Sequence, residues 1–412
     1  MKRREIIKGL TMLPLSGSIL GSIYPFKSTK ALALPGNPLP ATQNLFEELG
    51  IQPLINARGT MTYLSGSLML PEVVEAIGST SRDFANLNEV QDKVGEKIAA
   101  MLDCEAAMVT AGAASALSVG TAAAITGKDP EKIKMIPQYP GPQREVIIQK
   151  SHRYSFDHAV RLTGIKLVEV VGNNEMEKAI NERTVMALFF NAAFDWFGIP
   201  DSINHEDFIA IAKKHKVPTF IDAAADITPA SNLFRFQKMG FDMITFSGGK
   251  MLRAPQSTGL LLGRKDLIEA AKLNFDPYEC PIGRPMKINK EEIFGMYVAL
   301  KSFLKRDHEK EWQNWLNQIG EISGAVEALP SVKTKTVIPT GESNNFPGLS
   351  ITWDQSKIKA TPSQIAELLG KGTPRIEIGQ SKDSLEVAVV TLKEDQVPIV
   401  AQKIKEILQK QI

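Results

Sequence analysis

Two stretches decide the fold: Val217-Pro218-Thr219-Phe220-Ile221-Asp222-Ala223-Ala224, and further on Asp242-Met243-Ile244-Thr245-Phe246-Ser247-Gly248-Gly249-Lys250. Each is a short apolar run that ends on small residues and one charged group. Runs of this length bounded by turn residues read as buried strands, here Val217 to Asp222 and Asp242 to Phe246, with a helical stretch from Asp207 to His215 before the first. Upstream, further strands are expected at Ala106 to Thr110, Glu145 to Gln149, Lys166 to Val170 and Val185 to Phe190. Helices running to Ile125 and from Phe156 to Leu162 alternate with them, and Gly259 to Gly263 closes the series. Such alternation predicts an α/β domain with a mostly parallel sheet and helices on both faces.

From about Pro285 the pattern changes. Long helical periods at Glu291 to Leu304 and Glu309 to Leu329 precede short strands at Gly348 to Trp353, Arg375 to Ile378 and Leu385 to Val389, and a last helix spans Pro398 to Gln409. This order suits a smaller α+β domain. Before the alternation, Thr42 to Gly50 reads as a short helix, Gln52 to Asn56 as an extended lead-in, and Pro71 to Thr80 and Asn88 to Leu102 as helices. The expected organisation is therefore a leader over 1–33, a lead-in over 34–70, a large domain over 71–285 and a small domain over 286–412.

The chain has 412 residues, 43% hydrophobic and 23% charged, which permits a sizeable core. Its 48 basic and 46 acidic residues are unevenly placed. Six basic residues (Lys2, Arg3, Arg4, Lys8, Lys27, Lys30) and one acid (Glu5) lie up to Ala33, so the remainder carries 42 and 45, a formal charge of −3. A nucleic-acid binder usually shows a clustered basic surplus; the body of this chain has none, so no nucleic-acid partner is expected. The two cysteines, Cys104 and Cys280, form neither a disulfide framework nor a zinc spacing.

The start carries paired arginines in Lys2-Arg3-Arg4-Glu5-Ile6-Ile7-Lys8, then a modestly apolar stretch from Gly9 to Phe26 and a small-x-small site at Ala31-Leu32-Ala33. This looks like a twin-arginine export signal, which implies an exported, periplasmic protein. Pro14 and several serines and glycines break the stretch, so no stable membrane anchor is expected. A disordered basic start or an uncleaved anchor is the alternative.

Four features bear on chemistry, and ligands in parallel α/β sheets bind beyond the carboxyl ends of strands. Val109-Thr110-Ala111-Gly112-Ala113-Ala114-Ser115 opens a helix with small residues, which lets an anion reach the free N–H groups; the same residues would also serve close packing. Asp222 follows a buried strand, where an acid is costly without a partner. A protonated pyridine nitrogen is such a partner, and a helix cap is the other. Lys250, 28 positions on and again at a strand end, can condense with an aldehyde if its amine is partly desolvated. It is followed by Met251, and Ile244 stands where a phosphate-binding P-loop needs glycine, so that pattern fails. Pro255-Gln256-Ser257-Thr258-Gly259 adds hydroxyls before the next strand, or is an ordinary turn. The cluster His152, Asp157, His158 matches no familiar metal spacing, so no metal is expected.

Taken together, these motifs resemble those of the fold-type I pyridoxal-phosphate enzymes, and more narrowly the bacterial selenocysteine synthase and D-glucosaminate-6-phosphate ammonia-lyase group. The resemblance runs from about Ile55 to the end. It is most specific in Ile55-Asn56-Ala57-Arg58-Gly59-Thr60, Glu105 to Ser115, Phe220 to Ala224 and Ser247 through Gly263. It implies pyridoxal 5'-phosphate as cofactor, held by Lys250 as a Schiff base, with Lys250 later the acid/base at Cα and Asp222 on the ring nitrogen. Gly112, Ala113 and Ser247 would hold the phosphate, with Thr258 a further candidate. His152 falls where the family places a residue over the ring face, and Asn191 where a contact to the cofactor hydroxyl is expected. Arg375 falls where such enzymes bind a substrate carboxylate, and Arg58 is a second candidate. A homodimer, or a multiple of one, is implied as well.

The reaction is chosen by which bond at Cα the protein aligns, a geometry that lies beyond sequence, so the expectation rests on the resemblance. A selenocysteine synthase needs a charged transfer RNA and carries an extra N-terminal domain for it. Here only a leader and a short helix precede Ile55, the body is slightly acidic, and an exported protein would meet no charged tRNA. The expected activity is a lyase acting on an amino acid or amino-sugar acid, eliminating a β-hydroxyl to give a 2-keto acid and ammonia. A racemase or aldolase of a hydroxy-amino acid is the near alternative. A non-catalytic, ligand-binding descendant is the alternative of a different class, and the presence of both Lys250 and Asp222 argues against it.

Overall fold

The computed structural model describes residues 44–142, 144–341 and 343–412. The chain divides into two units, Met1–Gln52 and Pro53–Ile412. The described part of the first holds one short helix, Leu45–Glu48, capped by the Asn44 side chain accepting from the Phe46 N–H. The expected leader lies outside the described residues.

In chain order the strands of the second unit are β1 (Leu54–Ala57), β2 (Ala106–Thr110), β3 (Glu145–Gln149), β4 (Lys166–Val170), β5 (Thr184–Phe190), β6 (Thr219–Asp222), β7 (Met243–Ser247), β8 (Gly259–Gly263), β9 (Val332–Val337), β10 (Gly348–Trp353), β11 (Arg375–Gln380) and β12 (Leu385–Val387). They form two sheets, one of seven strands in the order β2-β8-β7-β6-β5-β3-β4 and one of five in the order β1-β11-β12-β10-β9. In the larger sheet only β8 runs against the rest, because it pairs antiparallel with both β2 and β7. The carboxyl ends of β2, β3, β5, β6 and β7 therefore share one edge, and that edge carries the charged residues singled out above. This is the mostly parallel α/β architecture expected.

Local chemistry explains where elements begin. Strand β6 starts at Thr219 because Pro218 has no N–H; its carbonyl still accepts from Ala187 N at 2.9 Å. The edge strand β2 is closed by a side chain: Gln91 Nε2 donates to the Val109 carbonyl at 2.7 Å, and the Val109 N–H donates to Gln91 Oε1 at 2.9 Å. One amide thus takes the place of a neighbouring strand. The helix Gly112–Thr126 after β2 is buried along most of its length. Its small residues let it lie flush on the sheet: a Cβ on Gly120 would stand 2.6 Å from Phe220 Cε1.

The cores are two. One is built on the seven-stranded sheet, from residues between Val73 and Phe303 together with Val390, and includes Phe189, Phe220 and Phe246. The other is built on the five-stranded sheet and joins Ile55 and Ala57 of β1 to residues between Ile319 and Leu408. Trp315 packs against both. Strand β9 had no sequence signal because Val332-Lys333-Thr334-Lys335-Thr336-Val337 is an edge strand, and lysines blunt its open side. The lead-in residues Leu54 to Ala57 run parallel to β11, in register from Leu54 with Arg375 to Ala57 with Ile378. No helix among the described residues is long and apolar enough to cross a membrane.

Candidate active site

Lys250 sits in the turn that leaves β7. The turn is pinned from several sides: Gly248 N donates to the Thr258 carbonyl (2.8 Å) and Ala254 N to the Gly248 carbonyl (3.0 Å). Ser67 adds two bonds, from its N–H to the Gly249 carbonyl (2.9 Å) and from Oγ to the Lys250 carbonyl (2.6 Å). Both glycines are sterically required. A Cβ on Gly248 would lie 2.0 Å from Thr258 Oγ1, and one on Gly249 would lie 2.7 Å from Gln256 Cα. The Gly-Gly-Lys run thus exists to let the 254–258 loop press against the lysine turn.

Beside Lys250 lie two buried carboxylates, Asp222 and Asp226. Asp222, the last residue of β6, accepts the Tyr154 hydroxyl on Oδ2 (2.5 Å) and the Ala224 N–H on Oδ1 (3.1 Å). Asp226 accepts Asn191 Nδ2 on Oδ2 (3.0 Å), while Oδ1 is buried without a hydrogen-bond partner among the described residues. Asn191 is itself fixed, because its Oδ1 lies 2.7 Å from His205 Nε2, which must then be the donor.

Burial raises Asp222 above the usual carboxylate range, against the pull of Tyr154, Ala224 and Lys250. Asp226 is pushed up to about 8, again by burial first. Burial lowers the Lys250 amine below the ordinary lysine value, while Asp226 and Asp222 act to raise it. These three groups cannot all be ionised in one dry pocket. Asp226 therefore holds its proton well above the usual carboxylate range, and burial eases the loss of a proton from the Lys250 amine, the direction that favours a nucleophile.

The expected phosphate cradle lies at the same sheet edge. Gly112 has a left-handed backbone (φ 83°), and the Ser257 carbonyl lies 3.6 Å from where its Cβ would be. Gly259 packs so closely that a Cβ there would be 2.3 Å from the Gly112 carbonyl carbon and 2.5 Å from Ala113 N. One turn in, the Ser115 hydroxyl is buried and has no hydrogen-bond partner among the described residues. The Ser247 hydroxyl makes no hydrogen bond among the described residues.

Other expected residues are placed differently. Thr258 is fully buried beneath Gly248, and its hydroxyl donates to the Pro255 carbonyl at 2.7 Å, so it shapes the loop rather than facing an anion. His152 is fully buried with no open ring face. Its Nδ1 accepts the Phe190 N–H (3.1 Å), which leaves Nε2–H to meet Asp201 Oδ1 (2.8 Å). It braces β5 and does not present a face to a ring. Asn191 reaches Asp226 and His205. Arg375 stands at the start of β11, and its Nε and Nη2 both donate to Glu377 Oε1 (3.0 and 2.5 Å). Arg58 follows the opposite end of the paired strand β1, about 13 Å along at the usual rise per residue. It is exposed, with its guanidinium 6.0 Å from the Tyr63 ring centre. The two arginines therefore stand at opposite ends of one strand pair.

Two participants escaped the sequence reading. Tyr154, two residues past His152, is stacked on Phe190 (3.8 Å between ring centres, 10° between planes) and donates to Asp222. Asp226 is the second acid of Asp222-Ala223-Ala224-Ala225-Asp226, and its repeat after four residues was the available signal.

A cleft of ≈ 250 Å³ opens between the two cores beside Lys250, with Thr60, Ser67, Arg253, Arg306 and Lys393 among its walls. A larger hollow of ≈ 490 Å³, lined by Glu105, Ala107 and Lys265, lies at the opposite edge of the sheet and holds none of the groups above. The groups at the strand ends fit pyridoxal phosphate: a desolvated amine, a buried acid for a ring nitrogen, and a helix start with an unpartnered buried hydroxyl.

Residues 54–331 match the family model of SelA, L-seryl-tRNA selenium transferase. The chain belongs to this family. The SelA-family chain is 30% identical over 297 residues to D-glucosaminate-6-phosphate ammonia lyase of Salmonella typhimurium, covering 70% of this chain and 76% of that one. It is 27% identical to a 5'-C-glycyluridine monooxygenase-decarboxylase of a Streptomyces species, over 88% of this chain and 92% of the relative. Among solved structures, a D-glucosaminate-6-phosphate ammonia-lyase superposes with a TM-score of 0.79 at 24% identity, covering 90% of this chain and 99% of the other. The protein is thus a fold-type I enzyme dependent on pyridoxal 5'-phosphate, as its family membership and fold require.

Proposed function

We propose that this enzyme is a lyase that eliminates a β-hydroxyl from an amino acid or amino-sugar acid, yielding a 2-keto acid and ammonia. The observation that carries the reading is the buried Lys250 amine at the end of β7 beside the buried Asp222 and Asp226, in a chain 30% identical over 297 residues to an ammonia lyase. Lys250 would hold the cofactor through its amine, Asp222 would meet the ring nitrogen, and Gly112, Ala113 and Ser247 would meet the phosphate. Bound pyridoxal phosphate supplies an electron sink for the charge left at Cα. Once the substrate's own amine has taken its place on the cofactor, the freed Lys250 amine would take the Cα proton. The β-hydroxyl then departs with a proton as water, and the released enamine takes up water to give the keto acid and ammonia. Tyr154 holds the Asp222 carboxylate in place throughout.

A visible absorbance band removed by borohydride, with the added mass on the Lys250 peptide, is expected for the wild type and absent from Lys250→Ala. Hydroxy-amino acids and amino-sugar acids should then release ammonia and keto acid in equal amounts. Exchange of the Cα proton without ammonia would instead mark a racemase, and cleavage of the Cα–Cβ bond an aldolase.

A second reading is favoured by the longer match to the monooxygenase-decarboxylase relative, which spans nearly the whole of both chains. Oxygen uptake and carbon dioxide release with an amino-acid substrate, and no ammonia-lyase product, would select it.

The homodimer is part of the proposal. Met61, Tyr63, Leu68 and Met69 are exposed apolar residues flanking Ser67, which bonds the Lys250 turn. A second copy covering them would close the site, and sedimentation analysis of the holoenzyme tests this. Export through the paired arginines is likewise proposed; Arg3→Lys with Arg4→Lys should retain the protein in the cytoplasm.

A further inference from the structure

Arg253 is the third residue past Lys250, and its backbone lies in the left-handed region (φ 58°). An L side chain is strained there, and such strain persists where the surroundings enforce it, often at functional sites. Arg253 is half-buried on the wall of the cleft that also holds Lys250. Among the described residues its guanidinium makes no hydrogen bond and no ion pair.

The neighbouring cation is already committed. Arg306 donates through Nη1 to Glu311 Oε1 (3.2 Å) and through Nη2 to the carbonyls of Met251 (3.0 Å) and Leu252 (3.3 Å). It therefore clamps the turn that carries Arg253. Burial lowers the Arg306 pKa, and the nearby Arg253 charge adds to that. Glu311 is itself shared, because its Oε2 lies 3.0 Å from His308 Nδ1. Among the described residues the wall thus presents the Arg253 guanidinium without a hydrogen-bonded counter-ion, with hydroxyl donors at Thr60 and Ser67 and the charged Lys393 and Glu394 on the same lining. Arg375 is neutralised by Glu377, and Arg58 lies exposed near Tyr63.

We propose that Arg253 binds the oxyanion group of the substrate, a carboxylate or a phosphate, and so sets which amino acids enter the cleft beside Lys250. A planar guanidinium suits either group through paired hydrogen bonds. The inference rests on the amino-acid substrate reading given above.

The test uses holoenzyme, in which the cofactor's own phosphate site is filled. Inorganic phosphate and malonate are titrated separately by calorimetry at low ionic strength and millimolar concentration, on wild type, Arg253→Gly, Arg253→Lys and the edge-strand control Lys335→Gln. At least one probe should bind the wild type; phosphate alone points to a phosphorylated substrate, and malonate alone or both to a carboxylate. Arg253→Gly should lose about tenfold in affinity or more, with an unliganded melting temperature equal to or above wild type, because glycine relaxes the left-handed backbone. Arg253→Lys should recover part of the affinity, and the control should match wild type. A residue serving only the turn's structure would lower the melting temperature and leave probe affinity intact. That result, or a wild type that binds neither probe, overturns the proposal. Failure to release ammonia with probe binding intact would sink the lyase reading alone.

Discussion

Tyr154 donates its hydroxyl to Asp222 at 2.5 Å, at the end of β6, while its ring lies flat on Phe190. The stack fixes the ring, and the ring fixes the direction of the hydrogen bond. A hydrogen bond to the charged form stabilises that form, so Tyr154 opposes the rise that burial imposes on Asp222.

Tyr154→Phe keeps the stack and removes the donor. Asp222 should then protonate more readily and grip a protonated ring nitrogen less well. The dissociation constant for pyridoxal phosphate should rise about tenfold, the worth of one hydrogen bond to a charged group at roughly 1.5 kcal/mol. Absorbance titration of cofactor-free protein measures it, and a value within about twofold of wild type would refute the role.

Asp226 gives the cofactor-free protein a defined pH response. Its folded value of about 8 stands far above the ordinary 3.8. Between those two values the folded protein holds a proton that the unfolded chain has lost. This contribution to stability is therefore complete below the unfolded value and declines as pH rises, reaching its floor once pH passes the folded value. Asp226→Asn cannot titrate and can still accept from Asn191. Its melting temperature should gain on wild type steadily from about pH 5 to about pH 8 and no further above that. Parallel curves would show that Asp226 does not hold a proton in the fold.

Gly259 tests the cradle through packing. A Cβ there would meet the backbone of Gly112 and Ala113 at 2.3 to 2.5 Å, and backbone cannot turn aside as a side chain can. Gly259→Ala should cost about 1–3 kcal/mol of stability, the usual range for overpacking. It should also weaken cofactor binding more than Gly78→Ala, a position with open space around it. Denaturant melts and cofactor titration together separate the two effects.

Lys250 and Asp222 were legible because their signals are local. A short apolar run ending in a charge names a strand end, and strand ends of a parallel sheet converge on one edge. The Gly-rich approach to Lys250 and the small residues of Val109 to Ser115 were readable for the same reason. The pairing of Arg375 with Glu377 was also within reach, since residues two apart in a strand share a face. Strand β9 was hidden because an edge strand with two lysines buries too little to show an apolar pattern.

The sequence by itself determined the layered α/β core, the order of its strands along the chain, and the placing of Lys250 and Asp222 at strand ends. These follow from side-chain period and turn composition, which act over a few residues. Only the tertiary structure decided that Tyr154 and not His152 reaches Asp222, that Asp226 joins the pocket, and that Arg253 rather than Arg375 flanks Lys250. Each of those outcomes depends on partners far along the chain: Asp201 for His152, Asn191 for Asp226, and Arg306 for the turn bearing Arg253. A side chain's direction at a strand end is set by whichever distant group satisfies its polar atoms, and no local pattern encodes that choice.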